Sequence, residues 1–248
     1  MNKHKRTYLI FSVILLLGTF FTLGFSNITN MADSDLIFQP LEKGKPGFTN
    51  GVGWAVGSPQ DGHATILHTT NGGALWSRQG PVENIPDYDL RGVFAIDACN
   101  AWIVGTKMGG YGVILRTTDG GQSWIRQGDS SQVPDIDLKG VYAVNKRIAW
   151  VTGNHGVILH TKDGGETWTR QAEDVAPDVL LMGVYASDAN HVWVVGDPSN
   201  GCNDTTCGTI LHTRNGGRTW DRQTYKPNPL LDDSRSLIWV HGLNIRTI

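Results

Sequence analysis

One eight-residue motif recurs four times in this chain and constrains its fold more than any other feature. Each copy begins with Thr, has Asn or Asp at the third position followed by Gly-Gly, and ends with Trp. The copies recur at intervals of about 48 residues, a period typical of repeat folds. They occupy residues 69–76, 117–124, 161–168 and 213–220. The chain is therefore built from repeated units.

Other β-rich runs recur in phase with this motif. Each unit holds a Trp-containing run that ends in Gly, an Ile-Leu run and the segment after the closing Trp, and a Gly-Val run precedes them in most units. Gly, Asn and Asp separate the runs, and no helical period follows Phe25. Four short antiparallel strands in about 40–50 residues make one blade of a propeller. The alternative, a β-solenoid, has shorter coils and does not need four turn clusters per period.

The repeats predict an all-β fold, a β-propeller of four-stranded blades with about four to five blades present, after an N-terminal apolar helix. Residues 31–43 are predicted as a linker, and the first strand is expected near residues 44–48 despite Pro46. The propeller is predicted to span residues 44–248. Its blades are expected near residues 44–80, 90–128, 138–172 and 181–224, with a partial blade at 236–248.

The turn motif itself has a physical logic. Asn or Asp at the third position can accept hydrogen bonds from the turn backbone, the glycines allow positive φ, and the closing Trp can bury its ring. The pattern resembles the Asp-box of bacterial neuraminidase (BNR) repeats. Asp119 and Asp163 match it fully, whereas Asn71 and Asn215 replace the acid, which favours a structural role over a catalytic one. The predicted structural positions are Asn71, Trp76, Asp119, Trp124, Asp163, Trp168, Asn215 and Trp220.

The turn, the Trp strand and the Ile-Leu strand together resemble the photosystem II stability/assembly factor-like family. The resemblance covers residues 51–223. Members of that family are exported seven-bladed propellers, so it implies that this chain is a truncated seven-bladed ring. It also implies a non-catalytic, exported scaffold or assembly factor whose partner is a protein, in a membrane complex.

The first residues predict export from the cytoplasm. An uncharged, mostly apolar run at residues 8–25 follows Lys3, Lys5 and Arg6, and basic residues before an apolar run keep the N-terminus inside while the rest crosses. Residues 1–30 are thus a signal peptide or a signal anchor. The length of the run leaves cleavage and retention both open. A retained segment would hold the protein at the membrane on the periplasmic or extracellular side.

Several other functions find little support. A net charge of −2 argues against a nucleic-acid partner, and neither a nucleophile elbow nor a phosphate-binding loop occurs. No cofactor is predicted. Because Asp-boxes occur in sialidases, the alternative function is a carbohydrate-active enzyme, a sialidase-like glycosidase, or a carbohydrate-binding propeller. The arginine-bearing segment that opens a sialidase site is missing, and Glu is scarce.

Three further sets of residues are candidates for binding or cross-linking. His68, His160 and His212 share one repeat position, but equivalent positions on different blades do not converge, so no metal site is predicted and partly exposed polar side chains are expected. Cys202 and Cys207 are a candidate disulfide. The motif Trp-x-Arg-Gln follows each turn, and its arginines either support their own blades or bind an acidic partner. These arginines are Arg78, Arg126, Arg170 and Arg222.

Overall fold

A computed structural model describes residues 36–40, 51–60, 62–79, 88–197 and 208–223 of the chain. Within these residues the structure is all β: no helix occurs, and every strand belongs to one of four antiparallel sheets of four strands each. The sheets follow one another along the chain, and each is a propeller blade. The predicted all-β propeller fold is confirmed.

The strands of each blade follow chain order across its sheet. Blade 1 contains β1 (Leu36–Pro40), β2 (Gly53–Gln60), β3 (His63–Thr69) and β4 (Ser77–Arg78). Blade 2 contains β5 (Leu90–Ala95), β6 (Ala101–Met108), β7 (Tyr111–Thr117) and β8 (Ile125–Arg126). Blade 3 contains β9 (Leu138–Ala143), β10 (Ala149–Gly153), β11 (Ile158–Thr161) and β12 (Thr169–Gln171). Blade 4 contains β13 (Leu181–Ala186), β14 (Val192–Gly196), β15 (Thr209–Thr213) and β16 (Asp221–Gln223).

The first strands of neighbouring blades approach one another closely because they carry glycine. A Cβ added at Gly92 in β5 would lie 2.8 Å from the backbone oxygen of Lys139 in β9. Likewise, a Cβ added at Gly140 in β9 would lie 2.7 Å from the backbone oxygen of Met182 in β13. The glycine of the Gly-Val motif thus sets the spacing of adjacent blades at their first strands.

The hydrophobic core lies between blades. Three buried clusters each combine residues of two consecutive blades. In the cluster between blades 2 and 3, for example, Trp102 and Ile114 of blade 2 pack with Val151 and Leu159 of blade 3, and all four are fully buried. Because strand side chains alternate between the two faces of a sheet, each blade supplies one face to each neighbour. A blade is therefore stabilised mainly by the blades beside it.

The first blade begins earlier than the sequence predicts. Its first strand is β1, Leu36–Pro40, which pairs antiparallel with β2 along its length. This strand lies within residues 31–43, which were expected to be a linker, and it comes earlier in the chain than the first strand expected near residues 44–48. The physical reason is local: the run Leu-Ile-Phe in β1 has strong β propensity, whereas Pro46 lacks the backbone N–H that a sheet requires.

Other expectations fall on residues outside the described ranges. These are the apolar segment at residues 8–25, the Cys202–Cys207 bridge and the partial blade at 236–248. In the part of the chain that the structure describes, no helix is long and apolar enough to cross a membrane.

Candidate functional site

The four turn motifs share one set of hydrogen bonds. In the blade 3 turn, the Thr161 hydroxyl donates to Asp163 Oδ1 over 2.8 Å and accepts the backbone N–H of Gly165 over 2.8 Å. Asp163 Oδ1 also accepts the backbone N–H of Thr167 over 3.0 Å. The corresponding bonds occur in the other three turns, including those with Asn71 and Asn215. Only an acceptor oxygen is required at the third position, so the acid and the amide are equivalent there.

The two carboxylates of these turns are held ionised. Hydrogen bonds from the side chain and backbone of Ser123 lower the pKa of Asp119 to about 2. Partial burial would raise the pKa of Asp163, but hydrogen bonds from Thr167 and Thr161 outweigh it and lower the pKa to about 2. A carboxylate so firmly ionised accepts hydrogen bonds well, but it is a poor proton donor near neutral pH.

In blades 2 to 4, the tryptophan that closes the turn packs against the preceding blade. Trp168 of blade 3 is 3% exposed and belongs to the cluster that contains Trp102 of blade 2. Trp124 belongs to the cluster between blades 1 and 2, and Trp220 belongs to the cluster between blades 3 and 4. Trp76 in blade 1 is half-buried. The turn therefore does more than connect two strands, because it brings a large ring to the neighbouring blade.

A glutamine to which the sequence analysis assigned no role also links neighbouring blades. Gln171, the last residue of β12 in blade 3, accepts the indole N–H of Trp220 over 3.4 Å and reaches Gly216 O over 3.5 Å. In blade 1, Gln79 with its amide oxygen toward His68 donates to the backbone oxygens of Gly120 and Gly121 over 3.0 Å. The signal was present in the sequence, since Gln recurs in phase after every Trp-x-Arg.

The histidines at the shared repeat position each stack on the tryptophan in the second strand of their own blade. His160 lies parallel to Trp150 at 4.2 Å between ring centroids, and the same pairs form between Trp54 and His68 and between Trp193 and His212. These histidines are only 2–9% exposed. The expectation that they would be partly exposed is wrong, because the β register places each directly opposite a tryptophan.

Burial keeps these imidazoles neutral. It lowers the pKa of His68 and His212, and together with the nearby charge of Lys162 it lowers that of His160 to about 4. Among the described residues, no group of His, Cys, Asp or Glu side chains could hold a metal ion.

The four arginines of the Trp-x-Arg-Gln motif have different surroundings. Arg126 donates to the backbone oxygens of Met108 and Tyr111 and lies over the Tyr111 ring at 3.6 Å. Arg78 and Arg222 likewise reach the third strands of their own blades, at His63 O and at the Thr209 hydroxyl. Arg170 forms an exposed ion pair with Glu173 at 3.8 Å. The structure thus brings each arginine to its own blade, and a role for them in binding a partner stays a prediction.

Two exposed apolar residues on blades 1 and 2 depart from the repeat. Ile125, in β8, is 61% exposed and stands where the other blades have Ser77, Thr169 and Asp221. Leu75 is 69% exposed and stands where the other turns have Ser or Thr. Neither side chain is needed by the fold, because polar residues serve at the same positions.

The fold and the turns define an Asp-box β-propeller. A family model described as photosynthesis system II assembly factor YCF48 matches residues 81–221. The match covers more than half of the chain, and the chain belongs to this family. None of the curated proteins compared with the chain matches it.

Solved structures similar to this chain include YCF48 proteins and GH74 enzymes. YCF48 from Cyanidioschyzon merolae matches with 22% identity and a TM-score of 0.53, covering 77% of this chain and 60% of that one. A GH74 enzyme from Niastella koreensis matches with 14% identity and a TM-score of 0.51, covering 69% of this chain and 28% of that one. A structure of YCF48 bound to a D1 peptide has 19% identity and a TM-score of 0.43, covering 70% of this chain and 79% of that one. For the first two structures, identities below 25% show the fold alone, and the chain spans less than two thirds of their length.

Proposed function

We propose that this protein is a non-catalytic assembly factor that binds a protein of a membrane complex on the exported side of the membrane. The observation that carries the proposal is membership of the YCF48 family, whose model matches residues 81–221. The contacts of the repeated polar side chains are consistent with a non-catalytic function. The turn acids and the arginines at positions 78, 126 and 222 all bond within their own blades, so the repeat positions serve the fold.

The binding surface that we propose lies on the outer part of blades 1 and 2. Ile125 and Leu75 are exposed where the repeat otherwise places polar residues, and Met108, the last residue of β6 in blade 2, is 40% exposed. Contiguous exposed apolar side chains mark interaction sites, and the cores of protein interfaces are depleted in charged residues and enriched in aromatic residues, Met and Arg. Substitutions at such sites change binding without a cost to the fold.

Two substitutions test this surface with little risk to folding. Ile125→Thr and Leu75→Ser each introduce a residue type that another blade carries at the same position. The double variant, attached to beads, should recover markedly less of the membrane-complex subunit that the wild type recovers from solubilised membranes of its source. Thr169→Ser on blade 3 is the matched control and should recover as much as the wild type. Failure of the wild type to recover any membrane subunit would contradict the proposed function, whereas equal recovery by the double variant would contradict only the surface.

The arginines are tested separately. Arg170 has an exposed ion pair as its contact, so Arg170→Gln removes a charge with little effect on stability. A loss of partner recovery in this variant would support the partner-binding role, and unchanged recovery would leave the arginines as supports of their own blades.

Export is part of the proposal and needs its own measurement. The charge pattern at residues 3–6 and the apolar run at 8–25 support it. A reporter fused after Gln223 that is active only outside the cytoplasm would agree with export, and one active only in the cytoplasm would refute it. The carbohydrate alternative predicts instead that purified protein hydrolyses or retains a glycan. The GH74 likeness supports that alternative only through the fold.

A further inference from the structure

A polar pocket lies at the junction of blades 3 and 4. It has a volume of about 340 Å³ and opens beside the turn motifs of both blades, with His160 and Lys162 on one side and Arg214, Gly216 and Arg218 on the other. None of the roles assigned above involves this pocket.

The pocket lies where one side chain is shorter than its counterpart at the junction of blades 2 and 3. At the junction of blades 2 and 3, Arg116 occupies the position equivalent to His160, and its guanidinium donates to the backbone oxygens of Gly164 and Lys146 in blade 3. His160 instead stacks flat on Trp150. It does not extend into the next blade, so the space that Arg116 fills at one junction is open at the other.

The charge around the pocket is particular to this junction. Its rim carries Lys162, Arg214 and Arg218, at the second and sixth positions of the two turn motifs. The same positions hold Thr118, Lys162 and Glu166 at the junction of blades 2 and 3. They hold Thr70, Thr118 and Gln122 at the junction of blades 1 and 2. Since the neutral sets support the same fold, the repeat does not require three cations here.

Little opposing charge neutralises this rim. Arg214 forms an exposed ion pair with Asp221 at 3.3 Å. In the described part of the chain, Lys162 and Arg218 form no ion pair. The residues that line the pocket include three cations and no carboxylate, and such a lining favours an anion in a partly enclosed site.

A buried histidine held by a glutamine lines the pocket on the side of blade 3. Gln171 turns its amide oxygen to the Trp220 indole, so its nitrogen faces His160 Nδ1 at 3.0 Å. An amide nitrogen donates, which makes Nδ1 the acceptor and places the imidazole proton on Nε2. His160 is 2% exposed, so its ring forms part of the wall of the pocket and stays in place.

From this geometry we propose that the pocket binds an oxyanion group, phosphate or carboxylate, of a small molecule. The guanidinium groups of Arg214 and Arg218 can each donate two hydrogen bonds to such a group, and Lys162 adds charge. This site is separate from the apolar surface of the proposed function, and its occupancy does not depend on that function.

Calorimetric titration of the full chain with inorganic phosphate, and separately with malonate, tests the proposal at low ionic strength. We expect saturable binding of at least one probe, and the stronger of the two identifies the group. Arg218→Gln should weaken it at least about tenfold, since a charge-assisted hydrogen bond contributes about that much. Arg147→Gln, which removes an exposed cation of blade 3 that does not line the pocket, is the control and should bind within about twofold of the wild type.

A second variant tests the space rather than the charge. His160→Arg adds a cation but should fill the pocket as Arg116 fills its own junction, so phosphate binding should fall although the net charge rises. Equal weakening by Arg218→Gln and Arg147→Gln would show diffuse attraction and overturn the proposal. Tighter binding by His160→Arg, or no saturable binding of either probe by the wild type, would overturn it as well.

Discussion

The ring of Trp168 meets the ring of Trp102 edge to face, with centroids 5.7 Å apart and planes at 87°. Trp102 is fully buried in β6 of blade 2, and Trp168 closes the turn of blade 3. Such an aromatic pair contributes about 0.5–1.5 kcal/mol beyond the burial of its surface. The contact joins two blades, so the turn that carries Trp168 is part of the junction as much as of its own sheet.

The Gln171 link predicts a difference between two glycines with nearly the same backbone. Gly217 has φ +84° and a Cβ there would lie 1.8 Å from Gln171 Oε1, whereas Gly110 has φ +86° and no atom within 4 Å. Gly110→Ala should cost about 1–2 kcal/mol of unfolding free energy from φ alone. Gly217→Ala should cost about 1–2 kcal/mol more, because the Gln171 bonds are lost. Denaturant unfolding of both variants measures the difference. Adding Gln171→Ala to Gly217→Ala should cause little further loss, and equal costs at the two glycines would contradict the link.

The turn acids should matter for stability through their acceptor oxygens. Asp163→Ala removes the acceptor for Thr161 and Thr167 and should lower the free energy of unfolding by about 1–3 kcal/mol. Asp163→Asn should be much milder, because Asn215 makes the same bonds in blade 4. Asp119→Ala should behave like Asp163→Ala. Melting temperature and partner recovery should be measured together, and a variant that keeps its stability but loses binding would refute the structural role.

Arg116 should contribute more to its junction than the histidines do to theirs. Its guanidinium lies 4.9 Å from the Trp102 ring and bonds to two backbone oxygens of blade 3. We expect Arg116→Ala to destabilise the protein by about 2 kcal/mol. Arg116→His should lose less, since His160 shows that an imidazole can stack at this position. Thermal unfolding of the pair provides the measurement, and an Arg116→His variant as unstable as Arg116→Ala would count against the stacking contribution.

Acid should weaken the fold over a window set by the buried histidines. Burial, with Lys162 nearby, lowers the pKa of His160 to about 4. An unfolded histidine titrates near 6.5, so between about 6.5 and 4 the unfolded chain binds more protons and stability falls as the pH falls. With allowance for partial solvent access, this loss is on the order of 2 kcal/mol for His160.

The variant His160→Phe keeps the stacked ring but cannot take up a proton. Its unfolding free energy should therefore depend less steeply on pH between 6.5 and 4 than that of the wild type. His155→Phe, at an exposed position, is the control. An unchanged slope in His160→Phe would show that this histidine is not part of the acid response.

The sequence was sufficient for the blades because each strand and turn recurs in register. Four copies of a turn with Gly-Gly and a closing Trp identify the third and fourth strands, and the Trp run identifies the second. The repeat did not locate β1, because Leu36–Pro40 shares no motif with β5, β9 and β13. Only its pairing with β2 reveals it.

The contacts between blades could not be predicted from the repeat. A motif shows that Gln171 recurs, but not that it reaches the turn of the next blade. The burial of His160 likewise follows from the register of β10 and β11, which sets it opposite Trp150. The pocket at the junction of blades 3 and 4 could not be predicted either, because it lies beside a histidine at the position where blade 2 has Arg116.

The Gln-to-Gly link has an evolutionary consequence. Every repeat carries the residue types of both halves, a glutamine after Trp-x-Arg and a Gly-Gly turn, and the hydrogen bonds are seen between blades 1 and 2 and between blades 3 and 4. A blade duplicated or lost by unequal crossing-over therefore leaves matched halves at the new boundary, whichever copies are joined. The number of repeats can therefore change while the contacts between blades are kept. Single substitutions, such as Arg in one blade and His in the next at the position of Arg116 and His160, then give each junction different chemical properties.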